Sequence, residues 1–412
     1  MPNARRTPGR QLQCMEADEA VAQFVCQLQS LGHTELTVSG YHDCARHFVR
    51  WLAQSAVAID AVNGDVVARF ARHRCKWAGN RWHKRPSYKY MRRVNRFVRF
   101  LADQGITEPP VAKNDAGVVT CLAEFQNWLR EHRGVSELTI DRHGRMIMGL
   151  LPSLGNEPGA YDTEVVRRVI LAAAQRHSRP QIKAITTALR GYLRFLAAQG
   201  ACRPGLDSAI PPIPQWRLST LPRYLPSTDV ERLIASCDLT KPHGIRDRAI
   251  LLLLARLGLR AGDIFCMRLE DISWEEGTLR VCGKARRAVC LPLPQDVGDA
   301  LLEYLERARP DIDDKRIFLR SSAPYRAFAR SQGISDVVRL ALKRAGIINP
   351  PSRGAHLLRH SAATGMLRGG ATLDAIGALL RHRSTDTTAY YAKVDVAMLQ
   401  LIAQPWPGAV SC

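Results

Sequence analysis

The chain has 412 residues, more than one hydrophobic core usually organises, which predicts about two to four domains. Hydrophobic residues at 46% and charged residues at 24% exclude a disordered or collagen-like chain. Lys and Arg number 59 against 38 Asp and Glu, and the net charge of +21 favours polyanionic partners, nucleic acid before an acidic membrane.

Neither membrane insertion nor secretion is indicated. The longest aliphatic run, residues 249–255, is broken by Arg256 and is far shorter than the roughly 20 residues of a membrane-spanning helix. No apolar segment follows the arginines of the first ten residues, so we expect no secretory signal. The 11 cysteines are scattered singletons without a CxxC pair, which disfavours a disulfide framework and a zinc knuckle. We expect a protein of the reducing cytoplasm.

The first two regions, residues 1–110 and 111–206, look like copies of one helical domain. Two stretches recur in the same order: ELTV at 35–38 returns as ELTI at 137–140, and FVRFLADQG at 97–105 returns as YLRFLAAQG at 192–200. The alternative is chance similarity between two helical hairpins. In the second copy the apolar residues fall at helical spacing, and Gly200 predicts the helix end.

Each copy contains a basic block without acidic residues. Twelve Lys or Arg and no acid occupy residues 69–99, with Trp and Tyr interleaved, and eight occupy residues 165–206. A solvated helix face is the alternative, but mixed charges would serve solubility equally well, so the blocks indicate phosphate contact. The candidate DNA contacts here are Arg92, Arg93, Arg96, Arg99, Arg190 and Arg194.

A change of pattern marks the third region. Six prolines between residues 204 and 226 predict an extended connector, assigned to 207–221. From 222 to 403 helical patterns surround two strand-forming runs, 278–281 and 289–291, which flank a basic hairpin tip. Residues 404–412 are a tail. The helices of this region are predicted at 246–257, 295–307, 335–345, 356–367 and 373–380, with another beginning at residue 227.

Two cofactor motifs are incomplete. The glycines before Lys284 lack P-loop spacing, and Ala285 stands where a P-loop has Ser or Thr. His356 and His360 share a helix face as zinc ligands do, but Arg359 lies between them and no glutamate base is present. We expect neither a metal nor another cofactor.

Six side chains suited to phosphoryl transfer follow one another through the third region. They are Arg260 in LGLRAGDI, Lys284 in GK, His356 and Arg359 in HLLRH, His382 in LLRH, and Tyr391 in TTAYY. The successive gaps are 24, 72, 3, 23 and 9 residues. In these motifs and their order, residues 222–403 resemble the tyrosine recombinase (phage integrase) family.

The resemblance implies a fold and a domain order. The fold is mainly α with a small antiparallel β-sheet, the α+β catalytic domain of tyrosine recombinases, preceded by two all-α helical DNA-binding domains. Residues 111–206 resemble the core-binding (SAM-like) domain of the family, and residues 1–110 are an additional copy. Residues 396–403 resemble the short apolar helix that family members dock onto an adjacent protomer.

The chemistry explains why these residue types are needed. A phosphodiester under attack gathers charge on its non-bridging oxygens, which Arg260 and Arg359 can each hold bidentately. A phenol with the ordinary pKa of about 10 is a poor nucleophile, and His356 with the nearby cations favours loss of its proton. By the resemblance, Tyr391 forms a 3′-phosphotyrosyl link, Lys284 protonates the leaving 5′-oxygen, and His382 hydrogen-bonds the phosphate.

Several residues also fit other roles. Arg260 alone fits a helix cap and Lys284 an exposed hairpin charge, but the ordered set of six favours catalysis. Tyr390 and Tyr391 compete as nucleophile, and the nine-residue step from His382 selects Tyr391. The family hairpin commonly reads Gly-Lys-Gly-x-Lys-x-Arg, whereas Ala285 follows the lysine here. Further candidates are the hairpin DNA contacts Arg286 and Arg287, and Asp263 as a carboxylate that supports the active-site arginines.

The sequence therefore predicts a site-specific recombinase with type IB topoisomerase-like chemistry, the integrase or transposase of a mobile element. Its expected partners are double-stranded DNA with paired half-sites, three further copies in a homotetramer, and accessory proteins of the same element. One alternative is a housekeeping Xer-type resolvase, against which the extra helical copy weighs. The other is a non-catalytic architectural DNA-binding protein, against which the presence of all six candidate residues weighs.

Overall fold

The computed structural model describes residues 8–73, 86–107, 116–155, 157–214, 221–282, 288–382 and 384–393. The chain divides into two compact units, Phe48–Trp216 and Met1–His47 with Arg217–Cys412. Most of the described residues are helical, and the strands among them form one three-stranded antiparallel sheet. The predicted fold class, mainly α with a small antiparallel sheet, is confirmed.

The first series of helices includes two that begin at side-chain caps. It consists of α1 (Pro8–Ser30), α2 (Glu35–Gln54), α3 (Gly64–Arg72) and α4 (Tyr88–Asp103). The side chain of Asn63 accepts hydrogen bonds from two backbone N–H groups in the first turn of α3, and the side chain of Ser87 accepts one hydrogen bond from a backbone N–H group in the first turn of α4. Phe48 on α2 packs edge-on against Phe70 on α3, with ring centroids 4.9 Å apart, and both rings are buried.

The second series has its own apolar core. It consists of α5 (Ala116–Arg133), α6 (Glu137–Leu154), α7 (Thr163–Arg176) and α8 (Arg179–Ala198). Phe125 on α5, Ile147 on α6 and Leu189 on α8 are fully buried in this core. A short 3-10 turn, Leu206–Ala209, occupies the start of the connector predicted to be extended at 207–221, and the other described residues of the connector, 210–214 and 221, form no helix or strand.

Helices α4 and α8 share their ends and their buried faces. Both end at a glutamine with the same backbone angles, φ −84° and ψ −1°, followed by a left-handed glycine, Gly105 or Gly200. Each buried residue of α4 has a buried counterpart 95 positions later in α8. The five pairs are Val94 and Leu189, Phe97 and Tyr192, Val98 and Leu193, Phe100 and Phe195, and Leu101 and Leu196. The sequence repeat is therefore also a repeat of helix ends and buried positions.

The third region is built around a buried central helix. Its helices are α9 (Ser227–Ala235), α10 (Pro242–Arg256), α11 (Ala261–Cys266), α12 (Gln295–Arg307), α13 (Gln332–Arg344), α14 (Ala355–Arg368), α15 (Leu373–Leu379) and α16 (Thr385–Ala392). Residues 249–254 of α10 are all apolar and buried, and the helix packs against α12 and α14. For the six helices predicted in this region, the observed bounds lie within four residues of every predicted bound, whereas α11 and α16 were not predicted.

The small sheet follows the strand-forming runs of the sequence. Its strands are β1 (Ile272–Ser273), β2 (Thr278–Cys282) and β3 (Ala288–Pro292), in the order β1-β2-β3. β2 and β3 pair antiparallel, with Val281 opposite Val289, so they form the arms of the predicted hairpin. The hairpin tip with Lys284, Arg286 and Arg287 lies outside the described residues, as does the predicted docking helix 396–403.

Two features of the described part of the chain bear on function. No helix there is both long enough and apolar enough to cross a bilayer. In the same part of the chain, no three His, Cys, Asp or Glu side chains are grouped so that they could hold a metal ion.

Candidate active site

A tight turn between α10 and α11 positions the first arginine. Gly258 has the left-handed φ of 58°, and a Cβ added there would lie 2.5 Å from Cδ2 of Leu380. Glycine therefore permits both the turn and the close approach of the two segments. Two residues later Arg260 precedes α11, and its half-buried side chain lines an open pocket.

Arg359 is fixed by two backbone carbonyls. Its side chain is buried within α14, where Nη1 donates to the carbonyl oxygen of Gly258 and Nη2 to that of Leu380. Burial, with added repulsion from Arg260, lowers the pKa of Arg359 to about 10. Burial also lowers the pKa of Arg260. Because two desolvated cations face one pocket, a bound anion would be stabilised there.

The hydroxyl of Tyr391 contacts an imidazole. Tyr391 lies on α16 with 2% of its surface exposed, and its Oη is 2.8 Å from Nδ1 of His360 on α14. Burial raises the pKa of Tyr391, and the charge of Arg359 opposes this shift. Burial, with the charges of His356 and Arg359, lowers the pKa of His360 to about 4. His360 is therefore neutral at pH 7, and with its proton on Nε2 its Nδ1 accepts the tyrosine hydrogen bond.

His356 stands one helical turn before His360 on the same pocket wall. Their ring centroids are 6.2 Å apart. Partial desolvation, together with the charges of Arg359 and Arg260, lowers the pKa of His356. Two neutral imidazoles thus line the pocket near the tyrosine hydroxyl.

His382 stacks on the ring of Tyr391. The two rings are almost parallel, at 6°, with centroids 6.2 Å apart. The Nδ1 of His382 lies 2.8 Å from Oγ1 of the buried Thr388. Burial and the charges of Arg359 and Arg260 lower the pKa of His382 to about 4. When Nδ1 accepts from the threonine hydroxyl, Nε2 carries the proton and can donate to a ligand.

Asp263 lies behind the pocket on α11. Its Oδ2 accepts the backbone N–H of Arg260 at 2.9 Å and forms a buried ion pair with the guanidinium of Arg381. The carboxylate therefore holds the backbone of Arg260 and the side chain of Arg381.

The neighbouring tyrosine is placed differently. Tyr390 is half-buried, and its hydroxyl donates to the carbonyl oxygen of Leu221 at 2.8 Å. Its ring centroid is 5.9 Å from that of Tyr391. Of the two hydroxyls, that of Tyr391 has an imidazole partner, whereas that of Tyr390 binds a backbone oxygen.

The structure brings five of the six sequence-predicted residues to one open cavity of about 590 Å³. Lys284, the sixth, lies outside the described residues. The cavity is lined by Arg260, His356, Arg359, His360, His382, Thr387, Ala389, Tyr390, Tyr391 and Lys393.

The sequence motifs do not identify several polar residues of this site, among them His360, Arg381 and Thr388. His360 was considered only as a zinc ligand, although its position four residues after His356 places both on one helix face. For Arg381 and Thr388, the sequence pattern indicated no role in the site, apart from their positions near His382 and Tyr391.

The predicted DNA contacts have different surroundings in the two helical series. On α4, Arg92 and Arg99 are exposed, while Arg93 and Arg96 are half-buried. On α8, Arg190 donates to the carbonyl oxygens of residues 210 and 211, at 2.8 and 3.2 Å. Arg194 forms an ion pair with Asp207 at 2.7 Å.

The chain is similar in sequence to proteins of a known family over most of its length. The model of the phage integrase family matches residues 223–398. The putative integrase/recombinase y4rA of Sinorhizobium fredii is 37% identical over 374 residues, which cover 88% of each chain. The tyrosine recombinase XerD of Listeria monocytogenes is 27% identical over 290 residues, 68% of this chain and 95% of that one.

Solved structures share the fold. A XerH site-specific recombinase bound to a palindromic difH substrate, in a post-cleavage complex, has a TM-score of 0.53 at 20% identity and covers 76% of this chain and 95% of its own. A lambda integrase tetramer bound to a Holliday junction has a TM-score of 0.52 at 16% identity, with coverages of 77% and 91%. The resemblance stated from the sequence is confirmed. With a relative matched over most of its length and a pocket of arginines, histidines and tyrosine, the chain belongs to the phage integrase family and is a site-specific tyrosine recombinase.

Proposed function

We propose that this recombinase breaks and rejoins DNA strands through Tyr391, as the integrase or transposase of a mobile element. The observation that carries the proposal is the hydroxyl of a buried tyrosine, hydrogen-bonded to a neutral imidazole, in the pocket that contains Arg260 and Arg359. This arrangement combines a nucleophile, a proton acceptor and a site for a phosphate.

The proposed step exchanges one phosphodiester bond for another. Oη of Tyr391 attacks the scissile phosphorus, and the bond from phosphorus to the 5′-oxygen breaks. The tyrosine proton passes to an imidazole, and the departing 5′-oxygen takes up a proton. The products are a 3′-phosphotyrosyl link and a strand with a free 5′-hydroxyl. Attack by the 5′-hydroxyl of a second strand reverses the step and releases Tyr391, so no nucleoside triphosphate is consumed.

Arg260 and Arg359 are the proposed ligands of the non-bridging oxygens. Two of the Arg359 donor groups are already occupied by the backbone carbonyls, which fixes the orientation of the remaining ones. A guanidinium held in this way needs no rearrangement when charge develops in the transition state. The lowered pKa values of both arginines support the proposal, because a phosphate between them would offset their burial and repulsion.

Proton transfer is assigned to three further groups. His360 accepts the tyrosine hydrogen bond directly, and His356 provides a second neutral imidazole on the same wall. Lys284 on the hairpin remains the proposed general acid for the 5′-oxygen. His382 is the proposed donor to a phosphate oxygen from Nε2, because its Nδ1 is occupied by Thr388.

The mobile-element role is supported by the lengths of the relatives. The match to the integrase/recombinase of Sinorhizobium fredii covers 88% of this chain. The match to XerD covers 95% of that protein but 68% of this chain, so this chain is longer than the Xer protein by about the size of a helical domain. The alternative of a housekeeping Xer-type resolvase does not account for the added length.

The proposed partner is double-stranded DNA with paired half-sites, bound by four copies of the chain. One fold neighbour is a tetramer on a Holliday junction and another is a complex with its difH substrate, which supports this assembly. Residues 1–110 are proposed to be a second helical DNA-binding domain, supported by the shared buried faces of α4 and α8. Residues 396–403 are proposed to dock on an adjacent copy, and proteins of the same element are proposed as accessory factors.

Trapping of a covalent adduct tests the proposal. The probe is a nicked duplex that carries an end of the element and releases a short strand when it is cut, so that religation is prevented. The wild-type protein and Tyr390→Phe should form the adduct, and Tyr391→Phe should form none. Tight binding of the wild type without an adduct would instead favour an architectural DNA-binding protein.

A further inference from the structure

Arg381 adopts a backbone conformation that favours glycine. Its φ is 55°, directly after the end of α15. The N–H of Arg381 donates to the carbonyl of Ala378 at 3.0 Å, and the N–H of His382 donates to that of Gly377 at 2.9 Å. These two bonds form a Schellman helix end, in which the left-handed residue is usually glycine. An arginine there bears a steric cost that glycine would avoid.

The side chain of Arg381 is also unusual. It is 8% exposed and forms the buried ion pair with Asp263, while its Nε and Nη1 are buried without a partner among the described residues. Burying guanidinium donors without hydrogen-bond partners raises the free energy of the folded state. The left-handed backbone of Arg381 raises it as well. The position therefore combines two unfavourable features in a single residue next to His382.

Arg381 connects two parts of the catalytic pocket. Its side chain binds Asp263, whose carboxylate also accepts the backbone N–H of Arg260. Its carbonyl oxygen accepts from Nη2 of Arg260 at 3.3 Å. Because His382 is the next residue, one residue links the elements that present Arg260 and His382, which are 122 positions apart in the sequence.

The ion pair also changes the charge that Arg260 meets next to it. Asp263 is close enough for its charge to act on Arg260, yet its salt bridge is with Arg381. If Arg381 lost its charge, Arg260 would be the neighbouring cation left to neutralise the buried carboxylate. A guanidinium paired with Asp263 would then be less available for a DNA phosphate.

We infer that Arg381 is a positioning residue that occupies Asp263 and so keeps the guanidinium of Arg260 available for the scissile phosphate. The inference rests on the proposed strand cleavage by Tyr391. Its action is indirect, because the pocket is lined by Arg260 and not by Arg381.

Arg381→Gly is the informative variant, because glycine keeps the left-handed helix end and removes only the side chain. On the nicked duplex we expect the single-turnover rate of adduct formation to fall about 10- to 100-fold, as is typical when a residue that orients a catalytic group is lost. DNA affinity should change by less than about threefold, because the exposed cations that dominate it are unaltered. Arg344→Gln, which breaks the ion pair with Asp247 elsewhere in the same unit, is the matched control and should keep the wild-type rate.

Two combinations distinguish positioning from general stabilisation. Asp263→Asn added to Arg381→Gly removes the competing charge, and we expect it to restore the rate to within about fivefold of wild type, as for coupled neighbours. Arg260→Ala should cost about 100-fold or more alone, and its cost in the Arg381→Gly background should be about 10- to 100-fold smaller, because that variant has already removed much of the same contribution. Urea unfolding of every variant identifies losses that arise from folding alone.

The outcomes separate the inference from the proposed function. If the wild type forms the Tyr391 adduct and Arg381→Gly forms it equally fast, the positioning role is wrong and the recombinase mechanism stands. Additive effects of Arg260→Ala and Arg381→Gly would overturn the role in the same way. A wild type that forms no adduct would overturn the proposed function and, with it, this inference.

Discussion

The candidate active-site pocket and the surface of α4 both present arginines, but in opposite surroundings. Arg359 is buried and tied to two carbonyl oxygens, whereas Arg92 and Arg99 are exposed on α4. A buried, fixed cation acts on one phosphate in one position. Exposed cations act on any phosphate within reach and are screened by salt. The pocket should therefore control the rate of strand cleavage, and the helix surface should control affinity.

The largest effect is expected from Arg359→Lys. Lysine keeps the charge but cannot donate to both carbonyl oxygens and to a phosphate in the planar geometry of a guanidinium. The single-turnover cleavage rate should fall by about 10² to 10³, with DNA affinity nearly unchanged. Arg344→Lys, outside the pocket, is the control. A variant that cleaves at the wild-type rate would show that charge alone suffices and that pocket and surface do not differ as described.

His360→Gln should have the next largest effect on rate. Glutamine retains a hydrogen-bond acceptor near Tyr391 but takes up no proton. We expect cleavage at pH 7 to fall by about 10 to 100, below the full contribution of a general base because His356 lines the same wall. The cleavage rate of His356→Gln, measured under the same conditions, shows which imidazole accepts the proton of Tyr391. An unchanged rate in His360→Gln together with a large loss in His356→Gln would assign proton transfer to His356.

Two histidines of the pocket predict how the stability of the protein depends on pH. His360 and His382 have pKa values lowered to about 4, against 6.5 for an ordinary histidine, so the unfolded chain binds protons that the folded chain does not. Their contribution is complete above about pH 6.5 and is lost as the pH falls toward 4. Urea unfolding at several pH values should show this decline, and His360→Gln should make it shallower. An equally steep decline in the variant would contradict the low pKa of His360.

The smallest effect separates the two helical series. Arg99 on α4 and Arg194 on α8 occupy the same repeat position, 95 residues apart, but Arg194 is paired with Asp207. A plot of log affinity against log salt concentration falls with a negative slope. Arg99→Gln should make this slope shallower by about 0.9, the value for one phosphate contact. Arg194→Gln should change the slope less. Equal slopes in the two variants would mean that both series bind phosphates alike.

Local features of the fold were predictable from the sequence. Apolar spacing, caps and glycines set the helices of the third region, and two β-forming runs became β2 and β3. These features depend on residues within one or two turns of each other, so local sequence is sufficient to predict them. The repeat was visible for the same reason, since α4 and α8 bury matching positions.

The candidate site was predictable as a set of residues but not as a set of contacts. The ordered motifs identified Arg260, His356, Arg359, His382 and Tyr391, and the structure places them around one cavity. The motifs did not indicate that His360 is the imidazole in contact with the tyrosine hydroxyl. Helical spacing fixes the face on which a side chain lies, but the partner of that face comes from a distant helix.

By itself, the sequence determined the candidate residue types, the helix that carries His356 and Arg359, and the basic character of the chain. The tertiary structure decided the partners: Arg359 with the carbonyls of Gly258 and Leu380, and Arg381 with Asp263. These pairs join segments 21 to 118 residues apart. Such contacts form only when the packing of several helices brings the segments together, and no local pattern encodes them.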